Sequence, residues 1–589
     1  MGAKKKKRQS FARHISRAGE RALEFSEGHF MEVFWRRISN VKEVRIPTLK
    51  WVVLVLVLLL LAVAQVYWYS TAFKTDAYIE GGDFHEGSVG RVNSLNPLYA
   101  VSDSEKILSK LMFASLVSAD GRGALSNELA KSIHQEANGK IWHVRLRNDV
   151  YWSDGEKLDV DDVLFTLKLM RDKRVRAVSV TNFANTVIKK EKDNSISFEL
   201  KAPYANFVSS LNFAILPEHI LANVEPGKIY EHDFSKHPIG SGAFKLKTQK
   251  KTSRGQIVYL DRNENYFKGR TKIASFTLSA YADSKDVSKE IESGILLGAT
   301  DLKRMGVEPN LRLVNKRSVG LNGGSYLFLN TQRELLRNLE ARRAIQRGIN
   351  MQTVRSGIVD DWALDYPILE RQAKGLVQPK VPEFNREEAW SNLEKIGILH
   401  RKDKLLDANG KQVELKMVVQ KRPILVEVAE RCASELRKLG FNVILEQYDV
   451  GSQASEDFFT AVIQPRNYDI LVQEIAMGMD ADPFPYYAST QASYNGMNLS
   501  NYKNVVADGI LTSARAIIDP DLRKSKYDDF MHLWVNEVPA IGIYQSFMDY
   551  YYAKNVRIFS EDALLASSVD RFYDIRDWGV VESQKMQSP

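Results

Sequence analysis

Few residues in this chain have the type and spacing that bond-breaking chemistry requires. The densest set of ligand-type side chains is His232, Asp233 and His237. A helix brings residues three or four apart onto one face, so this wider histidine spacing is no helical ligand pair, and no metal is expected there. The chain contains no H-E-x-x-H, no G-x-S-x-G and no G-x-x-x-x-G-K-S/T. Zinc peptidase, elbow-type serine hydrolase and P-loop ATPase chemistry therefore lack their signatures. Carboxylates are plentiful, but no spacing singles out an acid–base pair. The reading is a non-enzyme with no catalytic residue, cofactor or resident metal. Cys432 is the sole cysteine, so no intramolecular disulfide or cysteine metal cluster is available. It lies in the stripe Leu425, Val428, Ala429, Cys432, Leu436 and Leu439, which ends at Gly440 and reads as a helix burying its thiol. With no cysteine just after the hydrophobic segment, lipoprotein-type anchoring is also excluded.

Residues 468–477 read as a buried strand that emerges into Met477, Gly478, Met479, Asp480, Ala481, Asp482 and Pro483. Asp482 before Pro483 suits an Asx turn. Met477 and Met479 are soft and adaptable, fit either for a core or for contact with varied side chains.

The elements that must position such residues read as mixed α/β. A strand over residues 142–146 leads to the turn Trp152, Ser153, Asp154, Gly155, where glycine admits the positive φ of a tight turn. Asp159, Asp161 and Asp162 then stand where carboxylates favour a helix start, and Val163, Leu164, Leu167 and Met170 carry helical spacing. Asn385 with Glu388 resembles a capping box opening a helix through Lys395. A helix over 424–439 leads directly into an alternating strand from Phe441, and a helix over 525–536 precedes a buried strand over 540–544. No repeat of 20–50 residues is present, which disfavours solenoids and propellers.

At 589 residues the chain exceeds one core, so two to four domains or lobes are expected. Its net charge of +9 is a property of one end. Residues 1–50 hold thirteen Lys/Arg against five acids, and the remaining 69 bases and 68 acids nearly cancel. No nucleic-acid partner is expected of the main body. Residues 9–39 read as partly amphipathic helix among those bases. No charged residue occurs between Lys50 and Lys74, and residues 51–64 are continuously apolar. With Tyr67, Trp68 and Tyr69 at one interface and Trp51 at the other, residues 51–72 read as a single membrane span. The bases before it place the N-terminus in the cytoplasm and the body outside. Ala62, Val63 and Ala64 also resemble a signal-peptide cleavage site, a rival that the long preceding segment disfavours.

Nine short motifs, in order, carry a resemblance. They are Leu95-Asn96-Pro97-Leu98; residues 111–116 with Asp120-Gly121; residues 142–147; Trp152-Ser153-Asp154-Gly155; Leu216-Pro217 with residues 238–244; Asn263 to Tyr266; Leu329-Asn330-Thr331 with Arg342-Arg343-Ala344-Ile345; Asp480 to Pro483; and Met497-Asn498 to Tyr502. Together they resemble family 5 of the extracellular solute-binding proteins, the oligopeptide- and dipeptide-binding components of ABC importers. The chain departs from it in several places: Ala243-Phe244 replaces Pro-Tyr, Asn350 stands where Asp is usual, Asp480 lies one residue nearer the proline than in the best-known members, and no Trp stands near Ala476 and Met477.

The resemblance implies a two-lobed, periplasmic-binding-protein-like α/β fold of class II with an extra domain, preceded by the transmembrane helix. It places lobe I in residues 77–118, 218–324 and 546–589, the extra domain in 119–217 and lobe II in 325–545. The hinge would cross near 322–325 and 544–547, where Gly323 and Gly324 accept the backbone changes of closure. The implied ligand-binding residues are Asp480, as partner of a peptide ammonium, with Asp482, Met477, Asn498 and Tyr502. Trp152 reads as a structural plug. A monomer is expected, with a peptide as ligand, permease and ATPase subunits as partners, and the membrane as tether. A metal chelate, haem or sugar as ligand stays open, as does a sensor signalling through the cytoplasmic segment.

Overall fold

The computed structural model describes residues 45–586 except 73, 79–80, 179–182, 184, 368–377, 450–453 and 455–456. The amphipathic helix expected over 9–39 lies outside the described residues. The first described element is helix α1 (Arg45–Ala72). Its stretch Leu49–Trp68 is long and apolar enough to cross a membrane, and its apolar side chains face outward.

The body begins with strand β1 (Asp83–Val89) and helix α2 (Asp103–Met112), which opens on a Ser102–Glu105 capping box. A small antiparallel sheet follows, in the order β2 (Ala130–Glu136), β3 (Ile141–Leu146), β5 (Ser195–Glu199), β4 (Val187–Glu191). Between β3 and β4 runs helix α3 (Val160–Arg171), capped by Asp159 and Asp162 as the sequence leads one to expect. Gly155 takes φ +98° in the turn before it.

The main sheet is assembled from β6 (Phe244–Thr252), β7 (Gly255–Arg262), β8 (Ser275–Tyr281), β9 (Gly298–Thr300) and β10 (Asn315–Leu329). Helix α4 (Arg386–Glu394), capped by Asn385, precedes β11 (Glu414–Gln420), helix α5 (Pro423–Leu439) and β12 (Asn442–Tyr448). Strand β13 (Ile470–Ala476), helices α6 (Val505–Ala516) and α7 (Pro520–Glu537) and strand β14 (Ala540–Tyr552) complete it. Helix α7 starts five residues before the expected point because Asp519 caps it and Pro520 fits its first turn. Strand β14 runs eight residues beyond the expected end. Among the described residues the order is β12-β11-β13-β10-β14-β9-β1-β8-β7-β6, one sheet of ten strands.

Two long strands therefore join the lobes. At ~3.3 Å per residue, the fifteen residues of β10 reach roughly 50 Å. Val319 of β10 and Met548 and Tyr550 of β14 lie in an apolar core that also holds Phe84, Trp152, Phe198 and Trp578. Leu327 of β10 and Ile541, Ile543, Tyr544 and Phe547 of β14 lie in another, with Cys432 and Leu436. A third core, with Tyr326, Phe328, Tyr487 and Trp534, covers the opposite face of the same strands. The molecule is a two-lobed α/β binding-protein fold.

The passage between lobes is continuous strand, with the β10–β14 register shifting between Gly320 and Gly324. The two glycines there serve space instead of unusual torsions. A Cβ on Gly323 would meet the Ile475 carbonyl oxygen at 2.6 Å, and one on Gly324 would meet the Leu364 side chain at 2.3 Å.

Candidate functional site

Strand β13 lies between β11 and β10, but its two edges are not paired over the same length. Along β10 it pairs from Ile470 to Ala476, and along β11 only from Ile470 to Val472. Among the described residues no strand covers the β11-side edge of residues 473–476. An extended chain can add to such an edge through main-chain hydrogen bonds. The Tyr486 hydroxyl donates to the Ala476 carbonyl at 2.5 Å, fixing where the strand leaves the sheet.

The chain then turns at Gly478, with φ +74°. The Met477 N–H donates to the Asn322 carbonyl at 2.8 Å. The Asn322 amide in turn donates to the carbonyls of Gly478 and Met479. A residue of the inter-lobe strand β10 thus fastens the loop that carries both candidate carboxylates.

Asp480 and Asp482 are brought together, and each already has a counter-charge. Asp482 Oδ2 lies 2.9 Å from Arg515 Nε, while its Oδ1 accepts the Phe484 N–H at 3.1 Å, the expected Asx turn. The Tyr204 hydroxyl donates to Asp482 at 3.4 Å from a position 278 residues earlier. The Arg515 guanidinium lies between two rings, 4.5 Å from the Tyr204 centroid and 4.4 Å from that of Phe484. Asp480 Oδ2 lies 3.4 Å from Arg523 Nη2, and its side chain keeps 40% exposure against 9% for Asp482. Burial pushes both carboxyls above the usual aspartate range, opposed by Arg523 at Asp480 and by Arg515 at Asp482. Burial, followed by the Asp482 charge, pushes the Tyr204 hydroxyl up to about 12.

The other side chains singled out from sequence are turned into the interior. Met477 is buried in the third core. Asn498 is fully buried: its amide donates to the carbonyls of Ala488 (3.0 Å) and Tyr502 (2.8 Å), and its oxygen accepts the Tyr502 N–H (3.1 Å). Asn498 and Tyr502 form a loop clasp with the Asn498 amide fully engaged. Trp152 is fully buried and donates to Asp162 at 3.4 Å.

Sequence reasoning missed the arginines. Arg515 and Arg523 flank the α6–α7 connection, and nothing local marks them as partners of a loop more than thirty residues earlier. It also missed Arg304, which pairs with Glu474 of β13 at 2.7 Å and donates to the Phe547 carbonyl at 3.1 Å. That contact ties the turn after β9 to the part of β13 whose outer edge is open.

The fold and this strand-edge site are those of a two-lobed solute-binding protein. Residues 124–498 match the family described as bacterial extracellular solute-binding proteins, family 5 Middle. This chain belongs to that family. It is 27% identical over 488 residues to the oligopeptide-binding protein AppA of Bacillus subtilis, covering 79% of this chain and 86% of AppA. The solved structure of that AppA with a nonapeptide superposes with a TM-score of 0.69 at 22% identity, covering 86% of this chain and all of that one. NikZ of Campylobacter jejuni, solved with Ni(L-His), gives 0.69 at 21% identity over 85% of this chain and all of NikZ.

Proposed function

We propose that this protein is a membrane-tethered receptor that captures peptides between its lobes and delivers them to an ABC-type importer. The observation that carries this reading is the open edge of residues 473–476. It offers main-chain hydrogen bonds to any extended peptide and so tolerates varied side chains. The similarity to a peptide-binding relative supports it. Asp480, at the far side of the turn, is the candidate contact for the ligand's end. A ligand that touches both lobes binds the closed form better than the open one and shifts the equilibrium toward closure. The helix at residues 49–68 holds the receptor at the membrane as a single N-terminal span, raising its effective concentration at a permease without any new contact. ATP hydrolysis and translocation belong to separate permease and ATPase subunits, and the receptor itself catalyses nothing.

The test is to purify the full chain gently in mild detergent and identify by mass spectrometry what it carries. Bound peptides, with permease and ATPase subunits copurifying, are the expected result. A metal chelate, haem or sugar in their place would overturn the peptide reading. Recovery of a cytoplasmic regulator alone would overturn the importer.

A further inference from the structure

A second concave surface lies at the edge strand β6, the tenth strand of the sheet in which β13 is the third. Three remote segments meet there: residues 92–95, residues 230–236 and the β6–β7 hairpin. The Leu95 N–H donates to the Ser235 carbonyl at 2.8 Å. The Gln249 amide of β6 donates to the Lys236 carbonyl at 3.0 Å and accepts from the Gln256 amide of β7 at 2.7 Å. These bonds hold the walls of a cavity of about 420 Å³, on which Tyr230, Lys236, Lys250 and Lys251 converge. Among the described residues no carboxylate lines it, and none of the three lysines forms an ion pair. Tyr230 also lines a neighbouring cavity of about 680 Å³ and packs edge-on against Tyr99, with ring centroids 5.0 Å apart. That cavity adds Lys173, Arg174 and Arg176; Asp172 holds Arg174 at 2.6 Å, and Glu231 is the one lining carboxylate among the described residues.

Lysines on an edge strand ordinarily discourage sheet addition. Lys245 and Lys247 of β6 fit that account, with Lys247 paired to Asp261 at 3.2 Å. Lys250 and Lys251 differ, because they close on a cavity together with a lysine from another segment. A concave surface of one charge sign concentrates ions of the other. Three ammoniums exceed what a single carboxylate neutralises, whereas a phosphate monoester brings roughly two negative charges and three strong acceptor oxygens. From this arrangement we infer that the β6 edge is a binding site for a phosphate monoester, held by Lys236, Lys250 and Lys251, with the rest of the ligand against Tyr230. The site is separate from the open edge of β13 and does not rest on the peptide reading.

The experiment titrates the full-length protein, in a neutral detergent, by calorimetry against three probes. They are glycerol 3-phosphate, dihexanoyl phosphatidic acid, which carries the same phosphate on a lipid, and succinate, a dicarboxylate. Saturable binding of a phosphate probe and not of succinate is expected. Lys236→Gln and Lys250→Gln should each weaken it roughly 5-fold, and Lys245→Gln, on the same strand but outside the cavity, should leave it unchanged. Tighter binding of the lipid supports a membrane headgroup as the source of the phosphate, and tighter binding of glycerol 3-phosphate supports a soluble ester. Failure of both phosphates to bind at roughly millimolar concentration, or equal binding of succinate, overturns the inference. So does a loss in Lys245→Gln as large as that in Lys250→Gln, which assigns the effect to the general charge of the strand. None of these substitutions touches β13, so an overturned phosphate site leaves peptide capture standing.

Discussion

Two aspartate-bearing turns, one after β3 and one after β13, use the same side chain in opposite ways. The Asp162 carboxylate is buried and accepts from the N–H groups of Asp159 (3.0 Å) and Glu218 (2.8 Å) and from the Trp152 indole (3.4 Å). No cation contacts it among the described residues. Asp480 and Asp482 instead draw on guanidiniums from the end of α6 and from α7, and on the Tyr204 phenol. The first arrangement is assembled mainly from neighbours in sequence and holds one core together. The second exists only when remote segments meet, which suits a place that opens and closes.

The sharpest way to break this contrast is to empty the first turn. Trp152→Ala removes a fully buried indole from the core that also holds Phe84, Phe198 and Trp578. It should cost about 3–5 kcal/mol of stability. Urea denaturation reads this directly; a loss below about 1 kcal/mol would show that the block does not hold the core.

The same turn has a pH signature. Burial pushes the Asp162 carboxyl up to about 6, against its backbone donors. Between the ordinary aspartate value and 6 the folded chain holds a proton that the unfolded chain has released. Stability from this group is therefore full below that window and lost as pH rises through it, by about 2–3 kcal/mol. Denaturation at pH 4.5 and 7 should show the gap between wild type and Asp162→Asn changing by that order. A gap independent of pH would mean that the backbone donors already compensate the charge.

At the second turn, Arg515→Ala leaves Asp482 buried and unpaired and removes the cation between Tyr204 and Phe484. Because Arg515 is itself about one-third exposed, the expected cost is about 1–2 kcal/mol, below that of a fully buried pair. The additional Asp482→Asn change should recover part of it, since the stranded charge disappears. If the double variant is as unstable as the sum of the singles, the pair is not coupled.

How much of this was legible follows from range. The Asp159–Asp162 cap, the Asn385 cap, the Cys432 stripe ending at Gly440 and the Asx turn at Asp482 all depend on residues within a few positions of one another. Their spacing in sequence is their geometry in space. The ten-stranded sheet was not legible as one object, because β10 and β14 look like ordinary strands until their pairing shows that both lobes share them. Nor was the steric reason for Gly323 and Gly324, which is set by Ile475 and Leu364. The site was half legible: a loop with two carboxylates can be read from residues 480–483, but the arginines that neutralise them cannot.

The smallest expected effect separates two accounts of how Tyr204 grips the second turn. Tyr204 reaches Asp482 through its hydroxyl at 3.4 Å, a long bond, and Arg515 through its ring face at 4.5 Å. If the ring carries the contact, Tyr204→Phe keeps it and costs about 0.5 kcal/mol or less, whereas Tyr204→Ala loses the cation–π partner and the apolar cover and costs ~1–2 kcal/mol more. If the hydroxyl carries it, Tyr204→Phe already bears a large part of the cost of Tyr204→Ala, because each leaves Asp482 one donor short. A phenylalanine also lacks the group that burial and the Asp482 charge hold un-ionised, so no new charge confuses the comparison near neutral pH. The Tyr204→Phe, Arg515→Ala cycle decides the matter. A coupling near zero assigns the grip to the ring face, which phenylalanine keeps, and a coupling close to the full cost of Tyr204→Phe assigns it to the hydroxyl.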